Sequence, residues 1–373
     1  MNMKKSKTHK RAQVSKKLSV IPKFDVIKIA IDWHAAQYRV VRIIDQGGPE
    51  PAQRFTPAKF LEWAAKQQTL AAQVYSCYEA GAGGFVLHRQ LTQLGLTNYV
   101  VHPRKLDPDH TGVINDATDA RELAQNLDRY VRGNHKAMRV VFVPTSEQEQ
   151  KRQQSRQRQQ LRNTRLALAA MGRTLLLNQG HRQSNQWWKP TRWERLLPMV
   201  EEWMVERLET YREVILAITI QLEKVTQKIE AVAPLYRPKG MGALGFEEVQ
   251  REVCDYHRFK NRKQPGSYTG LVGGVSASGG YHQDLPITKA GNVRLRTMLI
   301  QMAWRWVYYQ PQSQLIQRWK HVLLNPKAHK RARKRAIVAV ARRLLVDLWK
   351  WQTNRATPQG LGWKMIGSHP TQA

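Results

Sequence analysis

Apolar residues first alternate with other residues at Val26–Ile31, where Ile27, Ile29 and Ile31 share one face; a period of two predicts a strand. Tyr38–Ile44 repeats the pattern and reads as its hairpin partner. Phe60–Gln73 has helical character, and Val74–Tyr78 is a third strand, followed by Glu79 and the glycines Gly81, Gly83 and Gly84. A helix is expected over 85–94, a strand over Tyr99–His102, a helix over Ala117–Leu127 and a last strand over Arg139–Val143. Strands alternating with helices predict a sheet covered by helices, so residues 25–147 read as an α/β domain.

From residue 148 the pattern changes. Gln and Arg fill Gln148–Arg165 without a Gly or Pro, and over 199–232 Val205, Leu208, Ile215, Leu222 and Val225 recur at helical spacing. Residues 148–235 are therefore expected to be two long helices in an antiparallel hairpin, a coiled-coil arm. Trp187, Trp188 and Trp193 lie in the connection and Trp203 just inside the second helix; packing at the hairpin tip or at a subunit interface is expected there rather than base stacking. Residues 236–355 make a third, mostly α-helical unit, with a Gly/Ser-rich loop from Gly266 to Gly280, a helix over 291–309 and another over Lys330–Trp351. Residues 1–24 hold eight Lys or Arg and no acid and read as a basic tail; 356–373 read as a loose tail.

Charge sharpens this picture. Lys and Arg number 61 against 28 acids, a net charge of +33. Such a chain repels itself unless a polyanion is near, and nucleic acid is the expected one, because Lys and Arg displace its condensed counterions. No run of about 18 apolar residues predicts a membrane span, and the two cysteines, Cys77 and Cys254, suit a reducing compartment, so a cytoplasmic protein is expected.

Acids then stand out. Asp32 ends the first strand on the face opposite the isoleucines, and Glu79 ends another strand in the same manner; ligands of open α/β sheets gather outside those strand ends. Asp116 and Asp119 share one face at a helix start, where acids are commonly partners of the helix dipole. Together the four carboxylates suit hard Mg²⁺ ions, which prefer oxygen donors and keep positions for water and phosphate. His34 reads as a surface residue rather than a ligand. Ser278, in the Gly-rich loop, reads from chemistry alone as a turn residue.

Asp32 after IKIAI, Glu79 in YEAGAGGF, and Asp116 and Asp119 in NDATDARELA resemble the DEDD-type transposases of bacterial insertion sequences. YTGLVGGVSASGGYHQDLPITKAGNVRLRTMLIQMA, residues 268–303, and KRAIVAVARRLLVDLW, residues 334–349, resemble that family's later blocks. The resemblance spans roughly residues 25–355. It implies a RuvC-like N-terminal domain with a ribonuclease-H fold and a C-terminal transposase domain. Ala30 stands in a stretch that usually carries Gly, and Ile114–Asn115–Asp116 where Lys-Thr-Asp is typical, yet no carboxylate is lost.

The resemblance further implies that Asp32, Glu79, Asp116 and Asp119 hold two Mg²⁺ ions, with Mn²⁺ as a substitute. Ser278 would be the nucleophile that becomes covalently linked to DNA, with Ser276 the alternative two residues away. Lys289, Arg294 and Arg296 would neutralise the phosphate, and Arg331, Arg333, Lys334 and Arg335 would grip the backbone. The implied partners are donor and target double-stranded DNA, a non-coding bridge RNA, and further copies of the chain in a homodimer or homotetramer. Two other readings remain at this point: a junction-resolving nuclease in which water replaces the serine, and a non-catalytic nucleic-acid-binding relative.

Overall fold

A computed structural model describes residues 22–103, 116–278 and 281–368, without the side chains of 116–118, 277, 278, 281 and 284. The chain divides into two compact units at Val143/Pro144.

The first unit runs β1 (Phe24–Trp33), β2 (Tyr38–Ile44), β3 (Gln53–Phe55), α1 (Pro57–Leu70), β4 (Ala71–Glu79), α2 (Val86–Gln93), β5 (Thr97–Val101) and α3 (Asp116–Val131). Its sheet has the order β3-β2-β1-β4-β5, with β1, β4 and β5 parallel and β2 antiparallel to both of its neighbours. β1 is central, which is why both its faces are buried. Ile27, Ile29 and Ile31 pack with Phe60 and Ala64 of α1 and Leu87 and Leu91 of α2. Ala30 packs on the other face with Cys77 and with Ala120, Ala124 and Leu127 of α3. The small residues Ala30, Ala120 and Ala124 let helix and sheet approach closely. Buried Lys28 is satisfied on that face by Asp128 of α3 at 2.6 Å and by the Asp45 carbonyl.

The expected strand over Arg139–Val143 is a correction. This segment makes only an isolated bridge, Val101↔Val140, flanked by hydrogen bonds from Val141 N to Val100 O and His102 N to Arg139 O.

The second unit contains α4 (Ser146–Asn178), α5 (Pro190–Leu196), α6 (Glu202–Glu230), β6 (Arg237–Pro238), α7 (Ala243–Val253), α8 (Lys263–Tyr268), β7 (Gly273–Ser278), β8 (Tyr281–Ile287), α9 (Val293–Tyr309), α10 (Gln314–Gln317), α11 (Lys320–Leu323), α12 (Lys330–Gln352) and β9 (Met365–Ile366). A capping box starts α4: Thr145 accepts from Gln148 N while the Gln148 side chain accepts from Thr145 N. α4 and α6 pack antiparallel, since Arg158 meets Thr226 and Arg165 meets Thr219. Trp187, Trp188 and Trp193 are buried between them with Ala169, Leu176, Leu196 and Met204. Trp187 donates to the Ala169 carbonyl at 2.9 Å, and Gly172 leaves room for its ring.

α9 and α12 carry most of the remaining core, with Leu299, Ala303 and Trp306 against Val340, Ala341, Leu344 and Leu348. Two expectations fail here. The stretch expected as one loop from Gly266 to Gly280 holds the end of α8 and, over Gly273–Ser278, a strand of the β7–β8 hairpin, while Gly279 and Gly280 lie outside the described residues. Nor is the C-terminal segment loose up to residue 368: Leu361 and Trp363 are buried, and β9 pairs with β6.

Candidate active site

Two sets of residues bear the expected chemistry, one in each unit. In the first, register decides which side chains meet. Ile31 of β1 is the parallel partner of Tyr78 of β4, so Asp32 and Glu79 are the next step along adjacent strands. Ala30 and Cys77, two residues before them, face α3. Side chains alternate along a strand, so Asp32 and Glu79 lie on the α3 face too, on strands about 4.8 Å apart. The antiparallel partner of Asp32 is Arg39 of β2, which extends the row on the same face. Asp32 is half-buried and Glu79 exposed. Burial pushes the Cys77 thiol up, and the nearby Glu79 charge pushes it further, as expected for neighbours on one face.

The start of α3 comes level with this row. Asp128 is fixed to Lys28, and the Leu123 carbonyl lies 4.0 Å from Cys77 Sγ, so α3 runs antiparallel to β1 and β4. From Asp128 back to Asp119 is about 14 Å of helix. From Lys28 forward to Asp32 is about 13 Å of strand. Asp119 therefore reaches the same end of the sheet as Asp32 and Glu79, and it is exposed there. Asp116 opens α3 one turn before Ala120; its side chain lies outside the described residues.

The glycine-rich turn after Glu79 completes the rim. Ala80 N donates to Val101 O, Tyr78 Oη donates to Gly84 O, and the Trp33 ring occupies the space that a Gly83 side chain would need. The donors on this rim are all carboxylate oxygens, a set that fits a hard divalent cation. Among the described residues no three His, Cys, Asp or Glu side chains converge as a complete ligand set.

In the second unit, Ser278 ends β7 as the register partner of Tyr281, and Ser276 pairs with Gln283. Ser276 is exposed; the Ser278 side chain and Gly279–Gly280 lie outside the described residues. The base of the hairpin is tightly fixed. Thr288 N donates to Val272 O, Lys289 N to Gly270 O and Asn292 N to Tyr268 O. A Cβ on Gly291 would lie 2.5 Å from Tyr268 O and 2.6 Å from Gly270 N, so only glycine fits without moving backbone. Arg296 donates to the Thr269 and Lys289 carbonyls at 3.1 and 3.0 Å, so it braces this turn. Lys289 is exposed with φ of 54°, and Arg294 is half-buried.

Sequence reasoning missed the residues beneath this hairpin. Asn292 caps α9 by accepting from Leu295 N, and its amide donates to Glu252 Oε2 at 2.9 Å. Glu252 is buried and also takes Arg156 at 3.2 Å and Arg152 at 3.4 Å. Burial pushes the Glu252 carboxyl up, but the Arg156 and Asn292 hydrogen bonds and the arginine charges outweigh it and hold the group below its ordinary value. At the start of α12, Arg331, Lys334 and Arg335 are exposed and Arg333 is half-buried.

Comparison with known proteins bears on the family of the chain. The family model described as Transposase IS116/IS110/IS902 family matches residues 234–317, which include the serine hairpin and α9. A putative transposase, y4rJ, of Sinorhizobium fredii is 31% identical over 324 residues, 79% of this chain and 81% of that one. The transposase for insertion sequence element IS1111A of Coxiella burnetii is 25% identical over 311 residues, 78% of this chain and 81% of its own. Both matches extend far beyond the region of the family model, and the chain belongs to the IS110/IS116 family of insertion-sequence transposases.

Proposed function

We propose that this transposase cuts and rejoins DNA through a covalent phosphoserine intermediate, with an acidic metal site assisting at the phosphate. The observation that carries the metal half is the shared rim: Asp32 and Glu79 in register on neighbouring parallel strands, and the first turns of α3 level with them. This mixed sheet, with carboxylates at its edge, supports a RuvC-like reading of the first unit. Arg39 beside Asp32 offsets part of the negative charge and limits mutual repulsion. When bound there, two Mg²⁺ ions would polarise the scissile phosphate and stabilise the oxygens that gain charge.

The serine half rests on Ser278. Its Oγ forms a bond to phosphorus as the bond to the leaving deoxyribose oxygen breaks; the serine proton departs and the leaving oxygen is protonated. One phosphodiester replaces another, so reversal on a second strand rejoins DNA without an external energy source. Lys289 and Arg294 supply positive charge beside the hairpin, and Arg296 holds its base. The basic start of α12 and the excess of 33 positive charges suit long contact with donor and target duplexes. They also suit a guide RNA that would read sequence while the protein reads backbone, and its charge would offset the repulsion between copies assembled as a dimer or tetramer.

The test is strand cleavage on a labelled DNA carrying an end of the element. Asp32→Asn and Glu79→Gln should each abolish Mg²⁺-dependent cleavage while leaving DNA binding intact. Cleavage that persists in both variants, or in excess chelator, would remove the metal site from the account.

A further inference from the structure

Trp304 of α9 is an indole left in solvent, 45% exposed, beside a concentration of positive charge. It lines a cleft of about 430 Å³ together with Ala328, Lys330, Arg333 and Lys334. The three cations come from the first turns of α12, where the peptide dipoles also favour an anion. The Nε of Arg333 is buried without a hydrogen-bond partner, so a donor is shut away from water and unmet by protein. Tyr308, one turn further along the same face of α9, is 79% exposed. An apolar ring has nothing to gain from solvent, and clustered cations repel one another; a ligand with a flat π-face and a phosphate resolves both. Duplex DNA hides its base faces, whereas an unpaired strand presents them.

Position narrows the occupant further. α9 begins at Val293, directly after the hairpin that carries Ser278, and Trp304 lies about 18 Å along it from Asn292. Asn292 lies at the base of that hairpin and Ser278 at its far end, so the serine and the cleft belong to one continuous segment of the second unit. Breaking and exchanging strands leaves unpaired DNA next to the cut. We infer that the Trp304 cleft binds an unpaired DNA strand, stacking a base on the indole and holding phosphates with Lys330, Arg333 and Lys334. The inference rests on the DNA-rejoining reading, and deepens it by assigning a place for the displaced strand.

The test is fluorescence anisotropy of a labelled thymidine 12-mer, the same sequence as a duplex, and a uridine 12-mer, titrated with the full chain. Trp304→Ala should weaken single-stranded DNA binding by about tenfold, the usual loss for one stacked base. Trp304→Phe should retain most of the affinity, and duplex binding should change less than twofold. Lys330→Gln/Arg333→Gln/Lys334→Gln should flatten the salt dependence of single-strand binding by about two in log–log slope, near 0.7 for each phosphate that is no longer neutralised. Unchanged single-strand affinity in Trp304→Ala would overturn the inference, as would equal weakening on duplex. Trp304-dependent binding of the uridine strand as tight as that of DNA would overturn the assignment to DNA. If Trp304→Ala has no effect while Ser278→Ala still blocks the covalent step, only the cleft is lost. A wild-type chain that binds no nucleic acid would sink both readings.

Discussion

Asn292 joins two parts of the molecule that sequence keeps apart, and its replacement gives a sharp prediction. In Asn292→Ala, α9 loses its N-cap, which costs about 1 kcal/mol. Glu252 loses a hydrogen bond to a buried carboxylate, which costs about 1.5–3 kcal/mol. Together about 2.5–4 kcal/mol should disappear, a fall in Tm of roughly 5–16 °C for a unit of this size. Asn292→Asp separates the two contributions, because it keeps the cap acceptor but sets a second carboxylate against Glu252. It should be destabilised at neutral pH and recover as the medium is acidified enough to protonate one member of the pair. Adding Glu252→Gln to Asn292→Asp should restore stability at neutral pH, since the new amide can donate to Asp. The assay is thermal and urea unfolding followed by circular dichroism, with covalent-adduct yield measured below the transition. A loss under about 0.5 kcal/mol in Asn292→Ala would refute the view that this residue holds the hairpin base.

Three further predictions concern buried charges and packing elsewhere in the two units. Glu252 has a depressed pKa in the fold, so its ion pairing contributes stability above the ordinary value of 4.5 and loses it as pH falls through the lower, folded value; Glu252→Gln should abolish that part of the acid transition in an unfolding series. Burial raises Glu248 despite Arg158 and raises Asp347 despite Arg343, so protonating these two on acidification acts in the opposite direction, and comparison of Glu252→Gln with wild type isolates the Glu252 contribution. Lys28→Met, which leaves Asp128 to the exposed Arg132 at 2.9 Å, should destabilise the first unit by about 1–3 kcal/mol in urea unfolding, and Lys28→Met/Asp128→Leu should recover part of it. Gly172→Ala drives a methyl into the buried Trp187 ring and should cost about 1–3 kcal/mol, read by melting and by tryptophan fluorescence.

What is legible in the sequence tracks how locally each feature is specified. β1 and β2 show themselves because apolar β-formers recur along them at a period of two, even though both faces of β1 are buried. The acids at the ends of β1 and β4 are legible for the same reason, since their positions follow from those strands. β3 is three residues, Gln-Arg-Phe, at a sheet edge, with no apolar rhythm to read. β7 is written Gly-Gly-Val-Ser-Ala-Ser and leaves Val275 57% exposed, so its strand character comes from pairing with β8 rather than from burial. Leu361 and Trp363 sit in a short, turn-rich stretch, and Trp363 packs its ring against Trp306 of α9, a partner distant in sequence. The bonds of Lys28 with Asp128, Arg156 with Glu252 and Asn292 with Glu252 span 100, 96 and 40 residues, beyond any local pattern. Trp304 is inconspicuous in the sequence because it sits in an apolar helical run, where spacing alone suggests core; only its exposure beside α12 sets it apart.

The central claim is that the serine at the end of β7 carries the DNA. It is tested by mixing the chain with labelled DNA of the element's end, RNA transcribed from the sequence that flanks its gene, and Mg²⁺, then denaturing and looking for label on protein. The account predicts an adduct in wild type and in Ser276→Ala and none in Ser278→Ala. Cleaved ends without adduct in wild type and Ser278→Ala alike would contradict it and make water the nucleophile.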